Sequence, residues 1–424
     1  MQDNLRDLLM RGVAAAKAGQ AEEARFFLEW LLRSEPPMTE LLEAWYWRGE
    51  VSLDPAEKRR CLEEVLARDP ANPRARRALA ILDGRLKPEE IVDPDRLAVP
   101  AAAGPVDADA RRFTCPKCGG RMVFAPDGQA LVCEQCARRE AGKAAATVGQ
   151  DFTVAMATAR GHRVPIAARA FDCHGCGTPF LLGPAAISVT CPYCGSAHVV
   201  EEANTRELVP PDGLIPFGLT ASQAEVALQA WLDHERLDAR PEPLQGLYLP
   251  LWTFDLAGPA PWSGVEYDSR HRAWGPVSGV EVILENDVWV AASDRLPASL
   301  LKVLETFDLG RARPYDPSYL ANWPAETYQR AMSDAALIAR QRVFARCRER
   351  VEHDVLRRIK NIQISSAGIA VDSFRLLLVP LWLSGFDQQG RRCRVAVNGV
   401  SGEVCGEKPR SGVREWLGKM LGEA

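Results

Sequence analysis

Eight of the chain's twelve cysteines fall in two copies of one spacing pattern. The first is Cys115-x2-Cys118, fourteen intervening residues, then Cys133-x2-Cys136. The second is Cys173-x2-Cys176, fourteen residues, then Cys191-x2-Cys194. All four positions recur at an offset of 58 residues. A C-x2-C spacing lets one tight turn aim two thiolates at one ion, and two such turns complete a tetrahedral four-sulfur site. Segments this small cannot close an apolar core by themselves. The metal's binding free energy becomes folding free energy, on the order of 10 kcal/mol per site. The spacing therefore predicts two zinc ribbons, at residues 113–140 and 171–200, joined by connecting strands at 141–170, each holding one structural Zn2+. Four thiolates leave no coordination position open for water or substrate.

Local sequence fits that reading. Gly119, Gly177 and Gly195 follow three of the four pairs and supply the backbone freedom a tight turn requires. Val123-Phe124 and Leu131-Val132 are expected as hairpin strands of the first ribbon, with Asp127-Gly128 at the turn. Phe180-Leu181-Leu182 and Ile187-Ser188-Val189 are expected to do the same in the second. His162, His174 and His198 lie nearby in sequence and are expected at the surface or beside the ligands, since both four-cysteine sets are complete.

The start, Met1-Gln2-Asp3-Asn4, shows no basic segment followed by an apolar one, so a cytoplasmic protein is expected and a disulfide framework is not. No apolar run approaches the ~20 residues of a membrane span. The longest, Leu376 to Leu383, is strand-sized and contains Pro380. Net charge is −4, which excludes a generally basic nucleic-acid binder. Residues 111–200 nonetheless carry ten Lys/Arg against five Asp/Glu. Lys117, Arg121, Arg138, Arg139, Lys143, Arg160 and Arg163 could meet phosphates. Only Phe113, Phe124 and Tyr193 offer stacking rings, without regular basic-aromatic interleaving.

Residues 1–87 read as helices with a 34-residue repeat. Phe27-Leu28, Leu31-Leu32 and Glu35-Pro36 return as Cys61-Leu62, Val65-Leu66 and Asp69-Pro70. Gly19, Ala24 and Pro36 in the first unit, and Trp45 and Gly49 in the second, give this segment its resemblance to the tetratricopeptide repeat. Pro73 to Leu82 reads as a closing helix. Stacked helix pairs leave a concave face, so the segment is either a peptide-docking groove or a cap on its own chain. Residues 88–112, with Val99-Pro-Ala-Ala-Ala-Gly-Pro105, read as a Pro/Ala-rich linker.

Residues 201–424 read as a β-rich α+β module in two copies. Thr220 or Ser222 caps a helix over Ala224 to Leu237. The strand Leu247 to Phe254 and the strand Leu376 to Leu383 share a Pro-Leu-Trp core, and each leads to a Phe-Asp pair, Phe254-Asp255 and Phe386-Asp387. Separate strands are expected at Trp262–Tyr267, Val277–Leu284 and Val288–Ala292, then a hairpin through Asn398-Gly399. A helical insert, about residues 299–372, divides the copies. Its helix is expected from Ala325 to about Ile359, with Tyr328, Met332, Ala336, Ala339, Val343, Cys347, Val351 and Val355 as its apolar stripe and a solvated face of mixed charge. A last helix is expected over Ser411–Leu421, docked on the protein or on a membrane surface.

From about Asp151 onward the chain resembles a bacterial family of zinc-ribbon proteins. The carrying motifs are Ala159-Arg-Gly-His162, Cys191-Pro-Tyr-Cys-Gly-Ser196, Leu214-Ile-Pro-Phe217, Tyr248-Leu-Pro-Leu-Trp-Thr-Phe-Asp255, Pro314-Tyr-Asp-Pro317, and Val397-Asn-Gly399 through Gly402-Glu-Val404 to Gly406-Glu-Lys-Pro409. Members are sometimes labelled as relatives of replication-restart helicases. This sequence departs from that label: neither Gly142-Lys143 nor Gly418-Lys419 sits in a G-x4-G-K-[ST] phosphate loop. The resemblance implies membrane-organising scaffold proteins as a partner class.

No H-E-x-x-H, G-x-S-x-G or G-x-G-x-x-G occurs. The expectation is a multidomain α+β protein without catalytic residues, a small-molecule substrate or a cofactor beyond two structural zinc ions. It would act as an adaptor or scaffold that contacts a protein partner. The alternative is a nucleic-acid-binding accessory protein using the basic ribbon region.

Overall fold

Helical periodicity fills the first part of the chain and long apolar strands the last, and the two halves fold accordingly. The computed structural model describes residues 2–92, 115–118, 122–124, 130–133, 135–141, 147–158, 169–172, 177–182, 188–190, 197–199, 211–268, 271, 273–293, 296–316, 324–326, 328–355, 359–388 and 390–407.

Five helices open it: α1 (Gln2–Lys17), α2 (Ala21–Arg33), α3 (Met38–Val51), α4 (Pro55–Arg68) and α5 (Pro73–Leu82). Their starts are written locally. The Asp54 side chain accepts the Ala56 N–H ahead of Pro55, and Asn72 accepts the Ala75 N–H ahead of Pro73, so each cap satisfies a donor that the first turn leaves open. Leu8, Leu28, Leu31 and Ala44 bury together, then Leu62, Val65, Ala75 and Ala78. Gly49 sits where a Cβ would lie 3.1 Å from Cys61 Cβ, so α3 and α4 approach closely there. The helices expected over residues 1–87, including the closing one, are present.

Three small strands follow, β1 (Met122–Phe124), β2 (Ala130–Cys133) and β3 (Arg139–Ala141), in their own antiparallel sheet. Next come β4 (Gln150–Asp151), α6 (Phe152–Ala157), β5 (Arg169–Asp172), β6 (Pro179–Leu182), β7 (Ser188–Thr190) and β8 (Ala197–Val199). The C-terminal half holds β9 (Gly213–Leu214), α7 (Ala221–His234), β10 (Gln245–Asp268), β11 (Ala273–Ala291), α8 (Ala298–Leu301), β12 (Arg313–Pro314) and β13 (Ala325–Glu326). It closes with α9 (Met332–Val355), β14 (Ile359–Ile364), β15 (Ala370–Gln388), β16 (Arg391–Asn398) and β17 (Val404–Gly406). The protein is mixed α and β, with N-terminal helices and a C-terminal β-rich sheet.

The sheet is built around β10 and β15, which run antiparallel with Leu249 opposite Val379. Over 246–254 of β10 and 376–383 of β15 both faces are buried, which is why these stretches read as unbroken apolar runs rather than alternations. Leu247, Leu249, Leu251, Leu377, Val379 and Leu381 pack under the segment that carries Leu296, Leu300, Val303 and Leu304. On the opposite face, Tyr248, Leu378 and Trp382 pack against Leu228 and Leu232 of α7, whereas Trp252, Phe254 and Leu376 pack against the Met332–Val351 stripe of α9. Thr220 and Gln223 form a reciprocal capping box at the start of α7. The Asn398 side chain accepts the N–H groups of Val400 and Ser401 at the expected turn.

The helical half is bound to the sheet. Ala80, Leu86 and Ala157 bury together, Ile91 bridges Thr158, and Arg76 donates to the Val371 carbonyl at 3.0 Å while pairing with Asp372. The first residues of the expected linker are thus a 3-10 turn (Pro88–Glu90) and a bridge. The rest of that linker, 93–112, lies outside the described residues, as does Ser411–Leu421.

Four expectations need correction. The helix of the insert starts at Met332, because Ala325–Glu326 form β13 beside Tyr248. Both residues are fully buried and Glu326 accepts the Ser293 hydroxyl at 2.7 Å, so tertiary pairing outweighs the helical preference of Ala-Glu. The three strands expected after Phe254 merge into two long ones, β10 and β11, running straight through Gly258, Pro259 and Pro261. In the segment expected as the second ribbon, β6 pairs with β5 and β13, and β7 with β8, so Phe180–Leu182 and Ser188–Val189 are not one hairpin. Finally, the charged face of α9 is not simply solvated, since Arg346 and Arg350 pair with Glu285 of β11. Among the described residues, no helix is long and apolar enough to cross a membrane.

Candidate metal centre

Cys115 and Cys118 precede β1, and Cys133 and Cys136 leave the end of β2. The β1–β2 ladder places Met122 opposite Cys133, and the β2–β3 ladder places Val132 opposite Arg139. The second pair therefore sits in the tight turn between β2 and β3. Within it the Cys133 N–H donates to the Arg138 carbonyl at 2.8 Å, and the Ala137 N–H donates to the Cys133 carbonyl at 2.9 Å. Ala137 adopts φ +54°, the left-handed conformation that the turn demands.

The four sulfurs converge, with all ligand atoms within 4.8 Å of one another. Cys115 Sγ lies 3.6 Å from Cys136 Sγ, and Cys118 Sγ lies 3.5 Å from Cys133 Sγ. Zn–S bonds of about 2.3 Å in a tetrahedron set the sulfurs about 3.8 Å apart. The cluster fits one such ion, and a soft four-thiolate set is the donor chemistry zinc selects. Cys115 and Cys133 are buried, Cys136 is half-buried and Cys118 is exposed.

Backbone donors prepare the thiols. The Cys136 N–H, 3.5 Å from Cys133 Sγ, is the leading cause that lowers the Cys133 thiol to about 7. Burial pushes the Cys115 thiol up, but the Lys117 and Cys118 N–H groups and its neighbouring cysteines outweigh it, so the net direction is down. A metal bound by all four would act as a cross-link between the two turns, with no open position for chemistry.

Among the described residues, this is the one group of His, Cys, Asp and Glu side chains placed to hold a metal ion. Cys173, Cys176, Cys191 and Cys194 lie outside the described residues, together with His162 and His174. Gly177, just past the third pair, has φ +69°, as the turn argument required. β5 and β6 flank the Cys173–Cys176 span, and β6 joins the large sheet through β13, with Ala325 opposite Leu181.

Two sites were invisible to motif reading. Tyr46, Glu50, Lys58, Arg74, Arg77 and Ile81 line part of a groove of ≈ 320 Å³ between α3, α4 and α5. Arg74 lies 3.9 Å from the Tyr46 ring centre, and Lys58 pairs with Glu50 at 3.1 Å. A second hollow, of ≈ 550 Å³, lies between α9 and the bulge at Asn286-Asp287. There Arg342 stacks on Trp289 at 4.9 Å and donates to its carbonyl at 2.7 Å. The only signal for the first was i, i+3 spacing of Arg74 and Arg77 on one helix face; the second joins residues more than fifty positions apart.

The chain is similar to the uncharacterized protein YdjG of Bacillus subtilis (strain 168), 24% identical over 241 residues, which covers 50% of this chain and 68% of that relative. No family model matches the chain, and no solved structure matches it.

Proposed function

We propose that this chain is a non-enzymatic zinc-binding adaptor. In this reading two zinc ribbons stiffen its middle, its tetratricopeptide-like helices dock a partner protein, and its sheet is a rigid platform made of two copies of one unit. The observation that carries it is the convergence of Cys115, Cys118, Cys133 and Cys136 at tetrahedral sulfur spacing. A saturated four-thiolate ion has a structural task rather than a catalytic one. The same spacing in the second cysteine set extends the reading to a second ion.

Register supports the duplicated unit. The Pro-Leu-Trp cores lie 130 residues apart, and Leu249 faces Val379, also 130 apart. Tyr248 takes Ala325 as its parallel neighbour, and Leu378, again 130 residues on, takes Leu214. On this reading β9–α7–β10–β11 and β13–α9–β15–β16 are the two copies. Each contributes its short strand and its helix to cover the other's long strand.

The α3–α5 groove is the docking site in this proposal. Its rim carries Lys58, Arg74 and Arg77 against Glu50, over a floor of Ala78, Ile81 and Leu82, which suits an acidic peptide with an apolar anchor. Affinity capture with the whole chain is expected to recover a partner that falls at least about ten-fold with Arg77→Glu. Equal recovery by the variant would contradict the groove. Titration with DNA and RNA at low salt is expected to give no Kd tighter than about 100 µM, and tight, steeply salt-dependent binding would favour the nucleic-acid alternative.

A further inference from the structure

Ala257, opposite Ala370, is the last β10 residue paired with β15. Beyond it β10 continues to Asp268 as a ribbon between β11 and β14. The inner face of this ribbon, with Ala260, Trp262 and Ile283, packs under α9. Its outer face ought to be polar, because period-2 alternation puts every second residue in water. It is largely apolar instead. The outward cross-strand pairs are Ala257 with Leu284, Pro259 with Val282, Pro261 with Val280, Val265 with Pro276, and Tyr267 with Trp274, interrupted only by the small, uncharged pair Ser263 with Ser278. Val282 is 75% and Leu284 74% exposed, with Val280 at 58%, Trp274 at 47% and Tyr267 at 45%.

This stripe runs about 33 Å, ten residues at the usual strand rise. No carboxylate occupies the paired outward positions. Lys360, 4.5 Å from the Trp274 ring centre, spends its charge against the indole. The five exposed side chains present on the order of 500 Å², near the upper end for a patch on a protein that stays alone.

A charged partner is disfavoured by the neutrality of the stripe. A second copy suits it: two neutral sheet faces meet without like-charge repulsion in an isologous contact, and together they bury about 1,000 Å², the threshold of a specific interface.

We propose that the outer face of the β10–β11 ribbon is the interface between two copies of this chain. Sedimentation equilibrium of the full zinc-loaded chain at about 50 µM is expected to give twice the 46.6 kDa chain mass. Val282→Glu with Leu284→Glu is expected to weaken association at least 100-fold and leave the far-UV circular dichroism unchanged. Val226→Glu, at a 70% exposed position on α7, is expected to stay dimeric. Photo-cross-linking from benzoylphenylalanine in place of Val282, but not of Val226, is expected to yield a dimer-sized product. A wild-type monomer at this concentration would overturn the proposal, as would a glutamate double variant that remains dimeric. A wild-type monomer that floats with phosphatidylcholine vesicles would overturn it too and assign the stripe to lipid.

Discussion

Cys133→Ser is expected to release the ion from the first cluster and to leave residues 115–141 without their fold. Bound zinc should fall by one equivalent per chain, read by metal analysis after dialysis. The cause is chemical and local. Serine's hydroxyl remains protonated where the thiol is lowered to about 7, and three thiolates bind zinc far more weakly than four. β1, β2 and β3 make a sheet too small to close its own core, so the lost metal energy, on the order of 10 kcal/mol, is lost folding energy. Acid should act in the same direction. The depressed Cys133 thiol is ionised above about 7 and becomes protonated as pH falls through that value, so protons compete with zinc and metal retention declines with decreasing pH. The α-helical signal at 222 nm should survive, since Cys133 packs with Cys115 and Cys136 and belongs to neither buried cluster of the N-terminal helices. Retention of the full metal content by Cys133→Ser at neutral pH would remove these residues from the ligand set.

Trp252→Ala is expected to cost about 3–5 kcal/mol, the largest effect of any single truncation in the sheet. Trp252 is fully buried at the point where β10, β11 and β15 run side by side, with Val290 on one flank and Leu376 on the other. Its ring packs at 5.4 Å on Tyr328 and 6.1 Å on Phe374, and its Nε1–H donates to the Arg330 carbonyl at 2.9 Å. Alanine leaves a cavity that neighbouring strands cannot fill and removes the donor from the half-buried Arg330 carbonyl. Urea denaturation followed by near-UV circular dichroism reads the shift. Val226→Ala, at an exposed position on α7, should change stability by no more than about 0.5 kcal/mol. A Trp252→Ala midpoint equal to that of wild type would contradict the packing described for the sheet.

What could be read from the sequence follows the range of the interactions. The N-terminal helices were legible because caps and apolar stripes lie within a few residues of each other, as Asp54 with Ala56 and Asn72 with Ala75 do. The first cysteine cluster was legible because ligand chemistry requires a fixed spacing. β13 was not legible: Ala-Glu is a helical dipeptide, and only its distant partners Tyr248 and Leu181 make it a strand. The continuity of β10 was hidden by Gly258, Pro259 and Pro261. Pro259 and Pro261 lack the N–H of an ordinary strand residue, and Gly258, at φ +140°, lies where a Cβ would meet the Gly368 carbonyl oxygen at 2.0 Å. The arginines of α9 were read as a solvated face because their partners Glu281 and Glu285 lie more than sixty residues earlier in the chain.

On the proposed reading two zinc ions, each gripped by four sulfurs, hold the middle of the molecule together. Quantitative metal analysis of anaerobically purified chain, paired with thiol counting under native conditions, decides this. About two zinc ions per chain should be found, with the eight paired cysteines protected from a thiol reagent until a chelator is added. Less than one equivalent of bound metal, with those eight thiols reacting at once, would contradict it.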